Sequence, residues 1–363
     1  MTRPIKAAID LSALRHNHAV ARRHAGGARI WSVVKANAYG HGLLRVARAL
    51  DALADGFALI ELEGAVALRQ AGLRQPILML EGFYSAEELP LFAEHQLTPT
   101  LHSLEQVMIF TSTSLPLRLP VYLKLNTGMN RLGVNEDELP AALERLTNSP
   151  RVAGITLMTH FADADTERGV AAQQASFESM RRALGERLPA SPANSAALLG
   201  YPECRGDWAR PGIMLYGGSP FPDRQSAAAL GLRAVMTLTS ELIAVRDLEP
   251  GDRVGYGGLF TAATPMKIGV VACGYADGYP RLAPTGTPVM VCGRRTRTLG
   301  RVSMDKLCVD LSGIAGAGVG SPVLLWGGGD ASGLSADEVA GAAGTVSYEL
   351  FCALAARVPV VEV

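Results

Sequence analysis

Residues 32–42 read Ser-Val-Val-Lys-Ala-Asn-Ala-Tyr-Gly-His-Gly, and they place one lysine, Lys35, where an apolar run gives way to a polar turn. The run at 30–34 is short, apolar and rich in β-branched residues, which predicts a buried strand. Asparagine and glycine then interrupt the pattern, ahead of a helix predicted at 43–50. Lys35 is therefore expected at the carboxyl end of a parallel strand, where the side chain faces a cleft.

Outward from this stretch, short apolar runs alternate with helical patterns. The predicted strands lie at 4–9, 30–35, 57–60, 76–80, 119–125, 152–158, 193–197 and 210–216. The predicted helices lie at 12–24, 43–50, 63–70, 137–146 and 170–187, with two more starting at capping boxes on Ser85 and Ser103. About eight strand units in roughly 220 residues favour a closed (β/α)₈ TIM-type barrel. An open, doubly wound sheet is the alternative.

The pattern of apolar runs and helices changes after the glycine- and proline-rich segment 217–222. Beyond it, short β-rich runs alternate with turns, at 234–245, 266–273, 288–291 and 306–311. We therefore predict a barrel domain at 10–228 and a smaller, mainly β domain at 229–363, with the strand at 1–9 as a candidate to join the second. The glycine tracts at 316–320 and 327–329 lack nucleotide-loop spacing, so we interpret them as turns.

Composition narrows the class of protein. The 363 residues carry 34 basic and 34 acidic side chains, and 48% are hydrophobic, so no overall field attracts nucleic acid or an anionic membrane. The amino terminus lacks an apolar signal region, and no run of 18 apolar residues occurs. The five cysteines are scattered without a C-x-x-C pair, which indicates reduced thiols. We expect a cytoplasmic small-molecule enzyme with no nucleic acid, membrane or metal partner.

Lys35 has two interpretations. A strand-end lysine commonly extends its amine to solvent. An amine beside an apolar strand is instead poorly solvated and becomes a better nucleophile toward an aldehyde, as a Schiff-base lysine requires. Tyr39 could add a hydroxyl at the same position. Residues 34–42 closely resemble the segment of alanine racemases whose lysine carries pyridoxal 5'-phosphate, and the resemblance runs from about Ile9 to Val363.

The resemblance implies racemisation of alanine on pyridoxal 5'-phosphate, in a homodimer with shared active sites. Racemisation removes a proton from one face of a carbon and returns one on the other, so it needs two bases. Lys35 matches one of them, and Tyr256, in Arg-Val-Gly-Tyr-Gly-Gly, matches the other. Two alternatives stay open: another barrel-type pyridoxal enzyme (a racemase of a different amino acid, or a decarboxylase), and a non-catalytic protein that binds the cofactor.

The cofactor site follows from the barrel and from the resemblance. Barrels commonly bind phosphate in the loops after strands seven and eight, where Ser195 and the pair Gly212 and Ile213 fall. The resemblance places Arg210 against the pyridine nitrogen, where a guanidinium cannot give up a proton. It also matches further residues to the cofactor: Tyr39, His160 as the partner of the catalytic tyrosine, and Tyr348 at the phosphate.

The substrate side rests on the resemblance alone. Arg131 matches the arginine that holds the substrate carboxylate, steadied by a carbamylated lysine at Lys124. Met304 matches a backbone amide for the same carboxylate, and Asp305 lies beside it. Ser303 stands where many members carry cysteine. The remaining matches are the residues of the substrate gate, Tyr275 and Arg281.

Overall fold

The computed structural model describes residues 3–184, 188–328 and 333–363, and the chain separates into two compact units. We call them the barrel unit and the β unit. The barrel unit comprises His18–Ala38 and Gly42–Leu215, and the β unit comprises Met1–Asn17, Tyr39–His41 and Tyr216–Val363. The chain begins with β1 (Lys6–Ile9) and α1 (Leu11–Ala25). An Asp10 carboxylate oxygen accepts the Ser12 and Ala13 amides at 2.8 and 2.9 Å, which fixes the start of α1.

Within its described residues, the barrel unit contains eight parallel strands. They are β2 (Arg29–Val33), β3 (Gly56–Leu59), β4 (Ile77–Met79), β5 (Leu97–Leu101), β6 (Leu119–Lys124), β7 (Val152–Met158), β8 (Ala190–Ser191) and β9 (Trp208–Ala209). Sequence neighbours pair from β2 to β8, and β9 returns to pair with β2. A bridge between Asn194 and Arg210 nearly closes the gap between β8 and β9. The predicted (β/α)₈ barrel is confirmed, and the open doubly wound sheet is wrong.

Helices follow most of these strands. They are α2 (Lys35–Tyr39), α3 (Leu43–Leu50), α4 (Leu62–Gln70), α5 (Leu89–Glu94), α6 (Leu104–Ser112), α7 (Leu139–Thr147), α8 (Ala171–Ala183) and α9 (Ser195–Gly200). The cap predicted at Ser103 is present, since its hydroxyl accepts the Gln106 amide at 3.2 Å. The predicted helix at 170–187 ends at Ala183, and its last residues, 185–187, lie outside the described part of the chain.

Several predicted elements differ from the structure. The Ser85 hydroxyl donates to Glu87 instead of capping, so a 3-10 turn precedes α5. The strands predicted at 193–197 and 210–216 are wrong, because Asn194 accepts the Ala197 amide at 3.0 Å and starts a helix there. Residues 213–216 form a 3-10 turn. Strand β5 was not predicted, since Pro99 argues against a central strand.

Side chains fill the interior of the barrel. Trp31 of β2 stacks on Trp208 of β9 with ring centroids 4.2 Å apart. Its indole nitrogen donates to the Tyr122 hydroxyl of β6 at 2.8 Å. Gly56 of β3 leaves room for the Trp31 ring, which a Cβ there would strike. The barrel interior is therefore a packed core, and room for a ligand lies at its ends.

The β unit, so far as its residues are described, is built on a mixed sheet with short helices near the carboxyl terminus. Its elements are β10 (Met236–Leu248), β11 (Arg253–Val254), β12 (Phe260–Thr261), β13 (Met266–Val271), β14 (Pro288–Val291), β15 (Arg294–Leu299), β16 (Leu307–Asp310), β17 (Pro322–Trp326), α10 (Ala336–Ala342), α11 (Ser347–Cys352) and β18 (Val360–Glu362). Strands β13, β16, β15, β14, β17 and β10 follow one another, and β10 pairs again with β13, which closes a ring.

The long strand β10 makes that closure. Its first half pairs with β17 and with β1, and its second half pairs with β13 after a bulge between Leu242 and Ala244. Strand β1 also pairs in parallel with β18, so both ends of the chain belong to this sheet. The glycine tract at 316–320 forms turns as predicted, with Gly316 and Gly320 at positive φ. Gly329 of the other tract lies outside the described residues. Within the described ranges, no helix is long and apolar enough to cross a membrane.

Candidate active site

Basic side chains collect at the carboxyl ends of the barrel strands. Lys35 follows β2, Lys124 ends β6, His160 follows β7 and Arg210 follows β9. Parallel strands of a barrel all end on the same side, so these groups share one mouth. Arg131 joins them from the loop after β6, where the Val134 amide donates to the Lys124 carbonyl at 2.9 Å and folds the loop back.

The pKa values of His160 and Lys124 respond to the charges of the other basic groups, so these groups lie close enough to interact. Burial, followed by the charges of Arg210, Lys124, Arg131 and Lys35, lowers the pKa of His160 well below its usual value. His160 is therefore neutral at physiological pH. Burial and the neighbouring arginines likewise lower the pKa of Lys124 to about 8, and Glu81 is the acid that opposes this effect. The mouth of the barrel thus carries an excess of positive charge.

Arg210 is buried at the base of this cluster, with 4% of its surface exposed. Its Nη2 donates to the Thr159 carbonyl at 2.5 Å and to the Pro192 carbonyl at 3.2 Å, and Nη1 donates to the carbonyl and hydroxyl of Ser191. These bonds fix the plane of the guanidinium and leave its Nε–H as the remaining donor. Burial lowers the pKa of Arg210 to about 10, so the side chain stays charged at neutral pH.

Lys35 begins a left-handed turn. Ala36, Asn37 and Ala38 have φ near 52–54° and ψ of 44–52°, and Tyr39 follows with φ 51°. A left-handed conformation costs roughly 1–2 kcal/mol per residue for L-amino acids, so consecutive examples require support. The Glu61 carboxylate accepts the Ala36 amide at 3.0 Å. The Asn37 side chain accepts the Leu43 amide at 2.8 Å, which ties the turn to the start of α3.

Ser195 and Gly212 contact each other in the barrel unit. Both were expected in loops that follow neighbouring strands. The Ser195 hydroxyl accepts the Gly212 amide at 2.8 Å, and both residues are buried. Ile213 is also buried and begins the 3-10 turn at 213–216. These residues therefore form one loop cluster beside Arg210.

In the β unit, Tyr39 lies in an aromatic cluster. Its ring stacks on Tyr216 with centroids 4.7 Å apart, and the Tyr348 ring lies 5.9 Å away. His41 packs against the other aromatic rings, 4.6 Å from Tyr216 and 5.1 Å from Phe351. Burial raises the pKa of Tyr39, so its phenol remains protonated and able to donate a hydrogen bond.

Tyr256 projects from an exposed turn of the β unit. The turn 256–258 is 3-10, and 69% of the tyrosine surface is open to solvent. Arg253 donates to the Gly257 carbonyl at 2.8 Å and holds the turn. The preceding residue, Gly255, has φ 68°, a value that favours glycine. Neighbouring backbone at Arg301 lies close to Gly255, so the turn packs next to the segment that leads to Met304.

Met304, Asp305 and Tyr275 come together in the same unit. The Tyr275 amide donates to the Ser303 carbonyl at 3.1 Å, and the Ala276 amide donates to the Met304 carbonyl at 3.0 Å. Met304 is 52% exposed, and Asp305 pairs with Arg357 at 2.7 Å. Arg281, six residues after Tyr275, is exposed.

The sequence analysis missed several residues that shape these sites. Glu61 supports the lysine turn, the charge of Glu81 acts on the pKa of Lys124, Tyr216 stacks on Tyr39, and Asp277 receives hydrogen bonds from two arginines. Glu61 comes two residues after the end of β3, just as Lys35 comes two residues after the end of β2, so its strand-end position was a usable signal. No comparable signal existed for the left-handed turn, because alanine disfavours that conformation.

The barrel has a cationic mouth around one strand-end lysine, and the same chain continues into a mainly β unit. These features are typical of a barrel enzyme that binds anionic ligands. The family model for the alanine racemase N-terminal domain matches residues 9–220, and the model for the C-terminal domain matches residues 235–362. This chain belongs to the alanine racemase family.

Individual relatives agree over the full length. The alanine racemase of Nitrosomonas eutropha is 54% identical over 100% of both chains. The catabolic alanine racemase of Klebsiella aerogenes is 51% identical over 99% of both. The crystal structure of the biosynthetic alanine racemase from Pseudomonas aeruginosa superimposes with a TM-score of 0.95 at 47% identity, covering 100% of each chain. The resemblance identified from the sequence is confirmed.

Proposed function

We propose that this protein interconverts L- and D-alanine as a pyridoxal-phosphate-dependent isomerase. The observation that carries the proposal is the cluster of Lys35, Lys124, Arg131 and Arg210 at the barrel mouth, around a neutral His160. Lys124 and Arg210 are buried, and burying a cation is costly unless an anion balances it, so the cluster favours an anionic ligand. Family membership supplies the class of reaction, an amino-acid racemisation.

The residues present fit pyridoxal 5'-phosphate. Lys35 offers the amine for its aldehyde, and the Nε–H of Arg210 remains available for a ring nitrogen. The loop of Ser195, Gly212 and Ile213 would hold the phosphate: the Gly212 amide donates to the Ser195 hydroxyl, which leaves the hydroxyl proton of Ser195 and the amide of Ile213 as donors. The resemblance also assigns the hydroxyls of Tyr39 and Tyr348 to the cofactor. When bound, the cofactor acts as an electron sink that makes the α-hydrogen of the amino acid acidic.

Two bases on opposite faces then move the proton. Lys35 removes or returns it on one face at Nζ, and Tyr256 does so on the other at its phenol oxygen. A phenol is protonated at neutral pH and needs help to act as a base, and His160 and Arg210 are the groups proposed to supply it. Since both bases exchange protons, the enzyme works in both directions.

The substrate carboxylate is held by Arg131 and by the backbone amide of Met304, next to Asp305. The lowered pKa of Lys124, about 8, leaves part of its amine neutral at physiological pH. A neutral amine can react with carbon dioxide, and we propose that the resulting carbamate pairs with Arg131. Tyr275 and Arg281 form the substrate gate in this proposal.

We also propose a homodimer in which Tyr256 of the partner subunit completes each site. What supports this is the exposure of three large side chains of the β unit, Tyr256, Leu259 and Met304. In a two-fold dimer the same contact occurs twice, so it would cover these side chains on both subunits. A cytoplasmic location is proposed as well, since all five cysteines, each in the described part of the chain, are free thiols. The domain boundary at 228/229 stays a prediction.

Incubation with L-alanine in deuterated water tests the function. We expect D-alanine to appear with deuterium at the α-carbon. Release of carbon dioxide would identify a decarboxylase, and the absence of exchange would identify a protein that only binds the cofactor. Borohydride reduction should also fix the cofactor to the peptide that contains Lys35. A label on another lysine contradicts the assignment.

Mixed dimers test the shared site. Lys35→Ala and Tyr256→Phe chains, each nearly inactive alone, are unfolded and refolded together. Random pairing of the two chains should recover roughly a quarter of wild-type activity, because only the mixed dimer holds one intact site. The control mixes wild-type chains with Lys35→Ala/Tyr256→Phe double variants, in which each mixed dimer has no intact site. If proven heterodimers stay inactive in the first mixture, both bases come from one chain.

A further inference from the structure

One buried carboxylate of the β unit has no part in the mechanism above. Asp277 has no exposed surface. Its Oδ1 accepts Arg3 Nη1 at 2.6 Å and Arg357 Nε at 2.8 Å, and its Oδ2 accepts Arg3 Nη2 at 3.0 Å and the Gly274 amide at 2.9 Å. Four donors thus converge on one side chain, which is the pattern of a structural anchor.

The same two arginines continue to Asp305. Arg357 Nη2 donates to the Asp305 carboxylate at 2.7 Å, and Arg3 Nη2 donates to its backbone carbonyl at 3.3 Å. Arg3 precedes β1 and Arg357 precedes β18, so the two ends of the chain supply the cations. The network therefore links Asp277 to the residue that directly follows Met304.

The main chain makes a second link between Asp277 and Met304. The Asp277 amide donates to the Gly274 carbonyl at 3.0 Å, so the carboxylate and amide together close the turn at 274–277. This turn holds Ser303 and Met304 through the Tyr275 and Ala276 amides. At Gly274 a Cβ would collide with the carbonyl oxygens of Ser303 and Met304, so the two segments lie in direct contact.

The charge on Asp277 keeps the network intact. Burial alone would raise the pKa of this carboxyl, but the hydrogen bonds from Arg3, Gly274 and Arg357 outweigh burial and lower it. The side chain is therefore ionised at neutral pH. An ionised carboxylate with all its hydrogen bonds formed has one favourable geometry. The residues that bond to it are therefore held in fixed positions.

We propose that Asp277 is a positioning residue for the substrate carboxylate. It holds the Met304 backbone through two links, the turn at 274–277 and the arginines that also bond to Asp305. The inference rests on the proposed function, which assigns the Met304 amide to that carboxylate. Misplacing a binding group by about 1 Å can cost about 10²-fold in rate, so the anchor has catalytic consequences. Its effect acts on binding of both enantiomers, which share the carboxylate.

The test compares Asp277→Asn with Asp310→Asn. Asp310 is a buried carboxylate in β16 of the same unit, and it bonds to Arg297 at 3.1 Å and to the Ser312 amide at 2.9 Å instead of to the turn at 274–277. In holoenzyme carrying Asp277→Asn, we expect amide hydrogen exchange in peptides covering 274–279 and 301–306 to accelerate about tenfold or more. The KM for L- and D-alanine should rise about tenfold, with kcat within about threefold of wild type. Asp310→Asn should leave both measurements within about twofold.

Unchanged exchange at 301–306 in Asp277→Asn overturns the proposal. Faster exchange with the same KM as Asp310→Asn also overturns it, since the network would then be structural only. If Asp277→Asn does not fold, Arg357→Lys keeps the charge but cannot bridge Asp277 and Asp305, and it should shift KM in the same direction by a smaller factor. Wild-type protein that fails to racemise alanine refutes the proposed function, whereas hydrogen exchange still decides whether Asp277 anchors Met304.

Discussion

Two cations of the candidate site are buried in the barrel unit, whereas two candidate site residues of the β unit are exposed. Lys124 and Arg210 are 6% and 4% exposed, but Tyr256 and Met304 are 69% and 52% exposed. The barrel residues stand at strand ends above a packed interior, and the β-unit residues stand on turns held by main-chain hydrogen bonds. The surroundings of the two buried cations are therefore set by the barrel unit itself, whereas the two residues of the β unit are largely exposed to solvent.

The contrast predicts where substitutions act. In the barrel unit, a cation that is buried among carbonyl groups contributes to stability as well as to ligand binding. In the β unit, an exposed turn residue can change with little effect on folding, because water already solvates it. Activity and stability should therefore separate in the β unit and couple in the barrel unit.

The largest effect is expected on activity at Tyr256. Tyr256→Phe removes the phenol oxygen, and loss of a general acid–base group typically lowers kcat by about 10²–10⁴-fold. The thermal midpoint of unfolding should stay near that of wild type, since the ring is exposed. The control is Tyr201→Phe, a half-buried tyrosine at the end of α9 in the barrel unit, which should retain wild-type kcat. Deuterium isotope effects in the two directions should differ in Tyr256→Phe, and near wild-type rates for both enantiomers would remove this residue from the mechanism.

The next effect is on stability at Arg210. Arg210→Gln leaves buried carbonyls of Thr159, Ser191 and Pro192 without their donors, which we expect to lower the free energy of unfolding by about 3–5 kcal/mol. Arg295→Gln is the matched change in the β unit, where the arginine and its ion-pair partner Glu338 are both exposed. An exposed pair of this kind is worth about 1 kcal/mol or less. Urea unfolding of both variants measures the difference, and equal losses would contradict the contrast between the units.

A smaller effect concerns the pH dependence of stability. The pKa of Lys124 is about 8 in the folded protein against an ordinary 10.5. Above about pH 10.5 the amine is neutral in both states, and below about pH 8 it is charged in both, so the folded state then carries the full cost of burying the charge. The free energy of unfolding should therefore rise with pH between these values, by about 3 kcal/mol, because one pKa unit corresponds to about 1.4 kcal/mol.

Lys124→Met provides the control for that rise. In cofactor-free protein kept free of carbon dioxide, the difference in unfolding free energy between wild type and Lys124→Met should shrink steadily from pH 8 to pH 10.5. A difference that stays constant over this range would show that Lys124 is not desolvated as its burial indicates.

The smallest effect is expected in the lysine turn. Ala36 is exposed and left-handed, with φ 52° and ψ 52°, so Ala36→Gly should relieve backbone strain and stabilise the protein by up to about 1 kcal/mol. Ala19 is exposed in the middle of α1, and Ala19→Gly should destabilise by roughly 0.5–1 kcal/mol. Opposite signs in urea unfolding support the strain. A destabilising Ala36→Gly would show that the turn is relaxed.

Much of the fold was readable because its signals are local. The strand at 152–158 was predicted with its observed bounds, and so was the helix at 43–50, since apolar periodicity and glycine breaks mark both. Strand β5 was not predicted because its proline argues against a central strand. The strand predicted at 193–197 is a helix instead, because the Asn194 side chain caps its first turn. In each miss, one side chain or one tertiary neighbour outweighed a weak local preference.

Residue type and spacing were sufficient to predict the alternation that builds the barrel, the lysine at the end of β2 and the family of the protein. The tertiary structure alone decided that residues 36–39 turn left-handed, that Arg210 donates to three backbone carbonyls and that Asp277 joins both ends of the chain. These features depend on partners that are distant in the sequence. Burial and hydrogen bonding to such partners set their energies, and neither can be read from a residue and its neighbours along the chain.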